Sequence, residues 1–299
     1  DDSCKAYPQN LMDCASVGCP RQYKPSPKIK PRPGAWIPRR VAWNVVRKPP
    51  DSMLKLTRQF YGARSSVGQP YVGYANPYNK VADWSYTWTQ MKPEFMRRVE
   101  QMLPHRRIRF AVEVGSFTGG ASRVMGEYLR KVAEKGYREP APLLCIDTFL
   151  GDVNMALGRT PDLDKFLDKH NGQPRLYHQW LVNIIAANLT QVVLPFVASS
   201  TIGARALEVM RFSPDLVYLD SAHEQGETFA EMQLYWELIA PGGILMGDDL
   251  NWAAVAHDVM LFARVHTLSI SSFNGCHRAW VIDTGTRGVV CVWYLQKPL

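Results

Sequence analysis

Two short motifs in the second half of the chain concentrate groups able to hold a cation and move a proton. They are Asp220-Ser221-Ala222-His223 and Gly247-Asp248-Asp249. Each follows a short apolar run, Leu216–Leu219 and Gly243–Met246. If those runs are adjacent strands, Asp220, Asp248 and Asp249 meet at one mouth. Three such anions repel one another unless a positive charge lies between them. Oxygen-only ligands suit Mg²⁺ or Ca²⁺, and an open, water-bearing octahedral site suits Mg²⁺. His223, three residues past Asp220, can face the same mouth. There it can take a proton from a hydroxyl whose pKa a metal has lowered. Taken singly, an Asp pair is often a turn with a helix cap and a lone His is often structural. The coincidence of the two motifs favours the metal.

Two further apolar runs end in candidate binding residues. The first ends Val112-Glu113-Val114-Gly115-Ser116-Phe117-Thr118-Gly119-Gly120. Its glycines allow a tight turn and close approach of a ligand to the backbone. The spacing is not the G-x-G-x-x-G of dinucleotide sites. Glu113, just before the turn, can accept hydrogen bonds from an amino group held over it. The second ends Cys145-Ile146-Asp147-Thr148-Phe149. Asp147 lies one β-α-β unit after Gly115, where a carboxylate can accept both hydroxyls of a ribose. The plainer roles are a tight turn for the glycines and a cap for the aspartate.

The elements that position these residues alternate from Arg107 onward. Strands are expected at Phe110–Val114, Leu143–Ile146, Val192–Ala198, Leu216–Leu219 and Gly243–Met246. Helices are expected at Ala121–Lys135, Ile202–Met210, Glu227–Ile239 and Ala253–Val265, with a broken helical stretch over Asp162–Leu189. Leu268–Phe273, Ala279–Ile282 and Val289–Leu295 close the chain as strands. This pattern is α/β: a Rossmann-like doubly wound sheet of about seven strands, mostly parallel with an antiparallel edge strand. Ligands of such sheets lie outside the carboxyl ends of the strands, where every residue named above falls.

The N-terminal third is different. Residues 1–50 hold nine of the 21 prolines, five Lys, five Arg, three Asp and no Glu, so +7 of the net +8 lies there. They form an extended, Pro-rich basic arm that can dock on a protein or an anionic surface. Residues 51–104 are rich in Tyr, Trp, Gly and Asn and are expected as an ordered lid or docking segment, with an amphipathic helix at Pro93–Leu103. Residues 105–299 form the third region, which is almost neutral, and this counts against a nucleic-acid substrate. No apolar run is long enough to span a membrane as a helix. Cys4, Cys14 and Cys19 have neither C-x-x-C spacing nor nearby His. They suit disulfides better than zinc. With the start at Asp1 and the sequon at Asn188, they point to a processed secretory or organellar protein.

At these residues the sequence resembles class I S-adenosylmethionine-dependent methyltransferases, whose pattern is a glycine turn after strand one, an acid after strand two and Pro-Gly-Gly before strand five (here Pro241-Gly242-Gly243). Asp220 to His223 and Gly247-Asp248-Asp249 are similar to the metal-dependent macrolide-sugar O-methyltransferases and the wider small-molecule group around them. The resemblance covers roughly residues 105–285 and implies an S-adenosylmethionine-binding domain over 105–299. It implies Glu113, Gly115 and Ser116 at the methionine part of the cofactor, Asp147 at the ribose, and Ser199 and Ser200 near the adenine. It further implies Mg²⁺ on Asp220, Asp248 and Asp249, with His223 as the base and Asp220 beside it in catalysis. The acceptor implied is a small molecule, a sugar or other vicinal diol, methylated on oxygen. Residues 1–104 carry no family motif, so acceptor identity is not implied, and a homo-oligomer is compatible with the pattern. Two alternatives stay open: a phenol or catechol acceptor, and a catalytically retired methyltransferase fold serving as an assembly subunit.

Overall fold

Short aliphatic and β-branched runs that are buried on both faces make a central sheet. In the computed structural model, residues 46–85, 89–136, 138–156, 165, 167–221, 223–272 and 292–299 are described. The strands are β1 (Ala111–Val114), β2 (Leu143–Asp147), β3 (Val193–Val197), β4 (Leu216–Leu219), β5 (Ile244–Gly247), β6 (Ser271–Ser272) and β7 (Trp293–Gln296). Their order in the sheet is β3-β2-β1-β4-β5-β7-β6. β1 to β5 run parallel, and β7 inserts antiparallel between β5 and β6. The antiparallel strand is thus one place in from the edge. Pro195 sits in β3, an outer strand, where a missing N–H is tolerated. The expected strand at Ala279–Ile282 lies outside the described residues.

Helices cover both faces. They are α1 (Met53–Tyr61), α2 (Pro93–Met102), α3 (Gly120–Lys135), α4 (Val153–Ala156), α5 (Leu176–Ala186), α6 (Ser200–Met210), α7 (Glu227–Leu238) and α8 (Ala253–Val265). Alternate strand residues divide the core. Val112, Ile146, Val217 and Leu245 pack with α1, α6, α7 and α8, while Ala111, Cys145, Tyr218 and Met246 pack with α2, α3 and α5. This is the period of two of a sheet buried on both sides.

Residues 46–299 cluster as one compact unit. Its N-terminal segment is tied to the sheet by polar contacts. Tyr71 Oη donates to the Val193 carbonyl at 2.8 Å. Buried Asn183 on α5 accepts from Asp83 N and donates to the carbonyls of Asp83 and Thr118. At the far end of the sheet, fully buried Asp215 accepts from Arg109 through the backbone N (2.7 Å), Nε (3.1 Å) and Nη2 (2.7 Å). A bidentate Arg on a buried carboxylate leaves neither charge unpaired.

Candidate active site

The strand tips meet because the ladder continues one residue past each strand. Gly115 N donates to Ile146 O at 2.9 Å, Asp220 N to Val114 O at 2.8 Å, and Asp248 N to Leu219 O at 3.1 Å. Gly115 has φ +85°, and a Cβ there would lie 2.0 Å from the Asp220 carbonyl oxygen. Only glycine lets the β1 turn and the β4 tip approach so closely.

Glu113 is fully buried beneath that turn. Its Oε2 accepts from Ser116 Oγ at 2.7 Å and from Ser122 Oγ. Its Oε1 has no hydrogen-bond partner among the described residues. Burial pushes its pKa up, against the hydroxyl donors that pull it down. A buried acceptor without a donor is costly, so Oε1 is a ready place for an incoming N–H.

Asp147 is the anchor of the glycine turn. Its Oδ2 accepts from Ser116 N at 2.7 Å and Phe117 N at 2.9 Å, and its Oδ1 from Phe149 N at 2.6 Å. Burial raises its pKa, and the three backbone donors oppose that rise. A carboxylate offers about four lone-pair sites, so three are already used for folding. Ser199 caps α6, its Oγ accepting from Ile202 N at 3.3 Å. Ser200 opens the same helix, and its carbonyl accepts from Tyr235 Oη at 2.9 Å.

The metal-type residues meet at the β4 and β5 tips. One ligand atom from each of Asp220, His223 and Asp249 lies within 4.8 Å of the others. His223 Nε2 is 2.8 Å from Asp249 Oδ2, and its Nδ1 is 3.9 Å from Asp152 Oδ2. Asp248 stands outside this grouping. Its Oδ2 accepts from Tyr218 Oη at 3.0 Å and Gln90 N at 3.3 Å, and its Oδ1 from Asp249 N at 2.9 Å. Burial, then the charges of Asp248, Asp249 and Glu113, drive the Asp220 pKa well up. Burial and the Asp249 charge raise that of Asp248. For His223, burial disfavours the charged ring. The hydrogen bond to Asp249 and the charges of Asp249, Asp152 and Asp248 outweigh it, and its pKa rises. Anionic oxygens and an imidazole that crowd a small space, with raised carboxylate pKa values, make a donor set that fits a divalent cation.

A small pocket opens at this cluster, lined by residues of the β4 and β5 tips, α7 and α8. Glu231 of α7 lines it and accepts from Ser221 Oγ at 2.7 Å. Several of these contacts were not legible in the sequence. Tyr218 was hidden as a strand residue, Gln90 acts through its backbone, and Asp152 follows a glycine in an unremarkable loop. Glu231 lies on the buried face of a helix whose periodicity is weak. Asp152 and Tyr218 had one usable signal, their position at or just beyond a strand tip.

Residues 112–250 match the model of a methyltransferase-domain family. No curated protein matches the chain. Solved structures with a related fold include an O-methyltransferase from Bacillus cereus in complex with SAH, at 12% identity and TM-score 0.45, covering 69% of this chain and 82% of that one. TomG of Streptomyces achromogenes, an O-methyltransferase of tomaymycin synthesis, follows at 14%, 0.44, 68% and 80%. CalS11, a TDP-rhamnose 3'-O-methyltransferase, stands at 16%, 0.43, 68% and 77%. Likeness at these values carries nothing about substrate. The family match runs from β1 to Leu250, the residue after Asp249, and so takes in strands β1 to β5 and the tips described above.

Proposed function

We propose that the chain transfers a methyl group from S-adenosylmethionine to a hydroxyl of a small-molecule vicinal diol, a sugar or similar acceptor, with Mg²⁺ at the β4 and β5 tips. The observation that carries this reading is the convergence of Asp220, His223 and Asp249 within 4.8 Å at the carboxyl ends of adjacent parallel strands. Asp220 and Asp249 are the proposed metal carboxylates. Asp248 supports them from behind, held by Tyr218 and Gln90. At the β1 tip, Glu113 Oε1 and the turn at Gly115 and Ser116 would receive the amino group of the cofactor. Asp147 would add one ribose hydroxyl to the loop N–H groups it already holds. Ser199 and Ser200 fix the start of α6 beside the adenine position.

When bound, the cofactor supplies an electrophilic methyl carbon and the cation supplies Lewis acidity that lowers the pKa of the acceptor hydroxyl. His223 donates Nε2–H to Asp249, which leaves the lone pair on Nδ1. That nitrogen takes the hydroxyl proton as the new C–O bond forms and the C–S bond breaks. Asp249, Asp152 and Asp248 favour the protonated ring that results. Positioning of the two reactants supplies most of the acceleration.

The test is calorimetric titration with S-adenosylmethionine and S-adenosylhomocysteine, with and without Mg²⁺. Micromolar binding of either is expected. Asp249→Asn should abolish Mg²⁺-dependent turnover and leave cofactor affinity within about twofold. Normal methylation by that variant sinks the metal assignment. Failure of the folded parent to bind either cofactor form favours the assembly-subunit alternative.

A further inference from the structure

An indole stands exposed at the lip of this site. Trp252, at the start of α8, keeps 48% of its surface in solvent, yet its ring centroid is 5.3 Å from that of His223 at an interplanar angle of 42°. Across the histidine, Asp152 is flanked in the chain by Gly151 and Val153, and Leu150 precedes them. Leu150 and Val153 are 53% and 45% exposed. Exposed apolar side chains that border a polar site form a surface that gains by being covered. An aromatic ring with one face free takes a flat or CH-rich ring on it.

The charge around the same mouth is one-sided. The residues that line it include Asp220, Glu231, Asp248 and Asp249 and no Lys or Arg, although the chain is +8 overall. Among described cations of the neighbouring segments, Lys80 and Arg175 are both paired with Asp168, and Arg123 with Glu127. Lys92 lies over the Phe95 ring. A diphosphate brought to this rim meets like charge, with no Lys or Arg among the described residues that line it.

We propose that Trp252 is a specificity-determining residue, the platform for the ring of an acceptor that carries vicinal hydroxyls and no phosphate. This rests on the methyltransferase reading given above and names the acceptor class for that site. A free or lipophilic ring diol fits; a nucleotide-activated sugar does not.

The test uses the full chain saturated with S-adenosylhomocysteine and Mg²⁺, titrated calorimetrically with catechol and, separately, with TDP-rhamnose. Catechol is expected to bind at least about tenfold more tightly than TDP-rhamnose. Trp252→Ala should weaken catechol by about tenfold, and Trp252→Phe should restore it to within about threefold, as loss and return of ring stacking require. Neither variant should change S-adenosylhomocysteine affinity, which shows that the fold and cofactor site are intact. The proposal is overturned if Trp252→Ala binds catechol as the parent does, if TDP-rhamnose binds more tightly, or if the saturated parent binds no catechol. If S-adenosylhomocysteine itself does not bind the parent, the underlying reading fails, and the platform with it; the two failures are separate measurements.

Discussion

Three non-glycine residues at strand tips are held in the left-handed region: Phe117 (φ 46°), Phe149 (φ 55°) and Asp249 (φ 56°). Each such residue costs on the order of 1–3 kcal/mol, and such strain gathers at functional sites. The N–H of each one donates to an aspartate, Phe117 and Phe149 to Asp147 and Asp249 to Asp248. Both acids thus offset strain at the rim where the cofactor and cation are proposed to lie. Asp147→Asn presents an NH₂ to one set of those backbone donors, since an amide has a single acceptor oxygen. The expected result is a loss of about 2–3 kcal/mol in urea unfolding and at least about tenfold weaker S-adenosylhomocysteine binding. Unchanged affinity would show that the turn does not depend on Asp147. Gly115→Ala meets the Asp220 carbonyl and a left-handed φ together, which alone costs about 1–2 kcal/mol. It should lower the urea midpoint and the cofactor affinity in step. Gly115 was legible in the sequence as a turn. The work of Asp147 was not, because a ribose acceptor and a loop anchor are the same residue type at the same strand tip.

At the scale of elements, strands β1 to β5 and helices α3, α6, α7 and α8 were legible to within one or two residues. Their apolar runs are short, bounded by Gly, Pro or Asp, and buried on both faces, so periodicity and length agree. The Asp162–Leu189 stretch is helical at Lys165 and Leu167, is broken around Gly172 (φ +76°) and Pro174, whose residue types marked the break, and resumes as α5 at Leu176. Tertiary capping was invisible. The start of α7 has Gly226 at its N-cap and no capping side chain of its own. Asp258, buried on α8, supplies it from a distance, with Oδ2 accepting from Gly226 N at 2.7 Å and Phe229 N at 3.1 Å. That carboxylate also fixes the exit of the loop that carries His223. Asp258→Ala removes the acceptor of two partly exposed N–H groups at a helix start, so unfolding should become easier by about 1–2 kcal/mol. Because the loop moves and the cofactor turn does not, kcat should fall with S-adenosylmethionine affinity held within about twofold. A variant that loses stability but keeps kcat would confine Asp258 to the fold.

For the molecule as a whole, charge and core are divided differently. Residues 1–45 carry four Lys, four Arg and three Asp, hence +5 of the net +8, and the compact unit from Val46 to Leu299 carries the other +3. Every candidate site residue lies in that unit. Its first residues are stitched to the base of the sheet. Lys48 N donates to Arg211 O at 3.2 Å, Ser213 N to Lys48 O at 3.1 Å, and Arg47 Nη1 to Glu237 O at 2.7 Å. A chain trimmed to start at Val46 keeps all three bonds. Its melting temperature and S-adenosylhomocysteine affinity should match those of the full chain, while its salt-sensitive retention on an anionic resin should fall. A chain trimmed to start at Asp51 loses the bonds. At about 1 kcal/mol each, and about 2–4 °C per kcal/mol for a domain near this size, it should melt several degrees lower. Equal melting of the two trimmed chains would mean that the stitch at Lys48 contributes nothing. A lower cofactor affinity of the chain starting at Val46 would place part of the binding machinery in the basic arm.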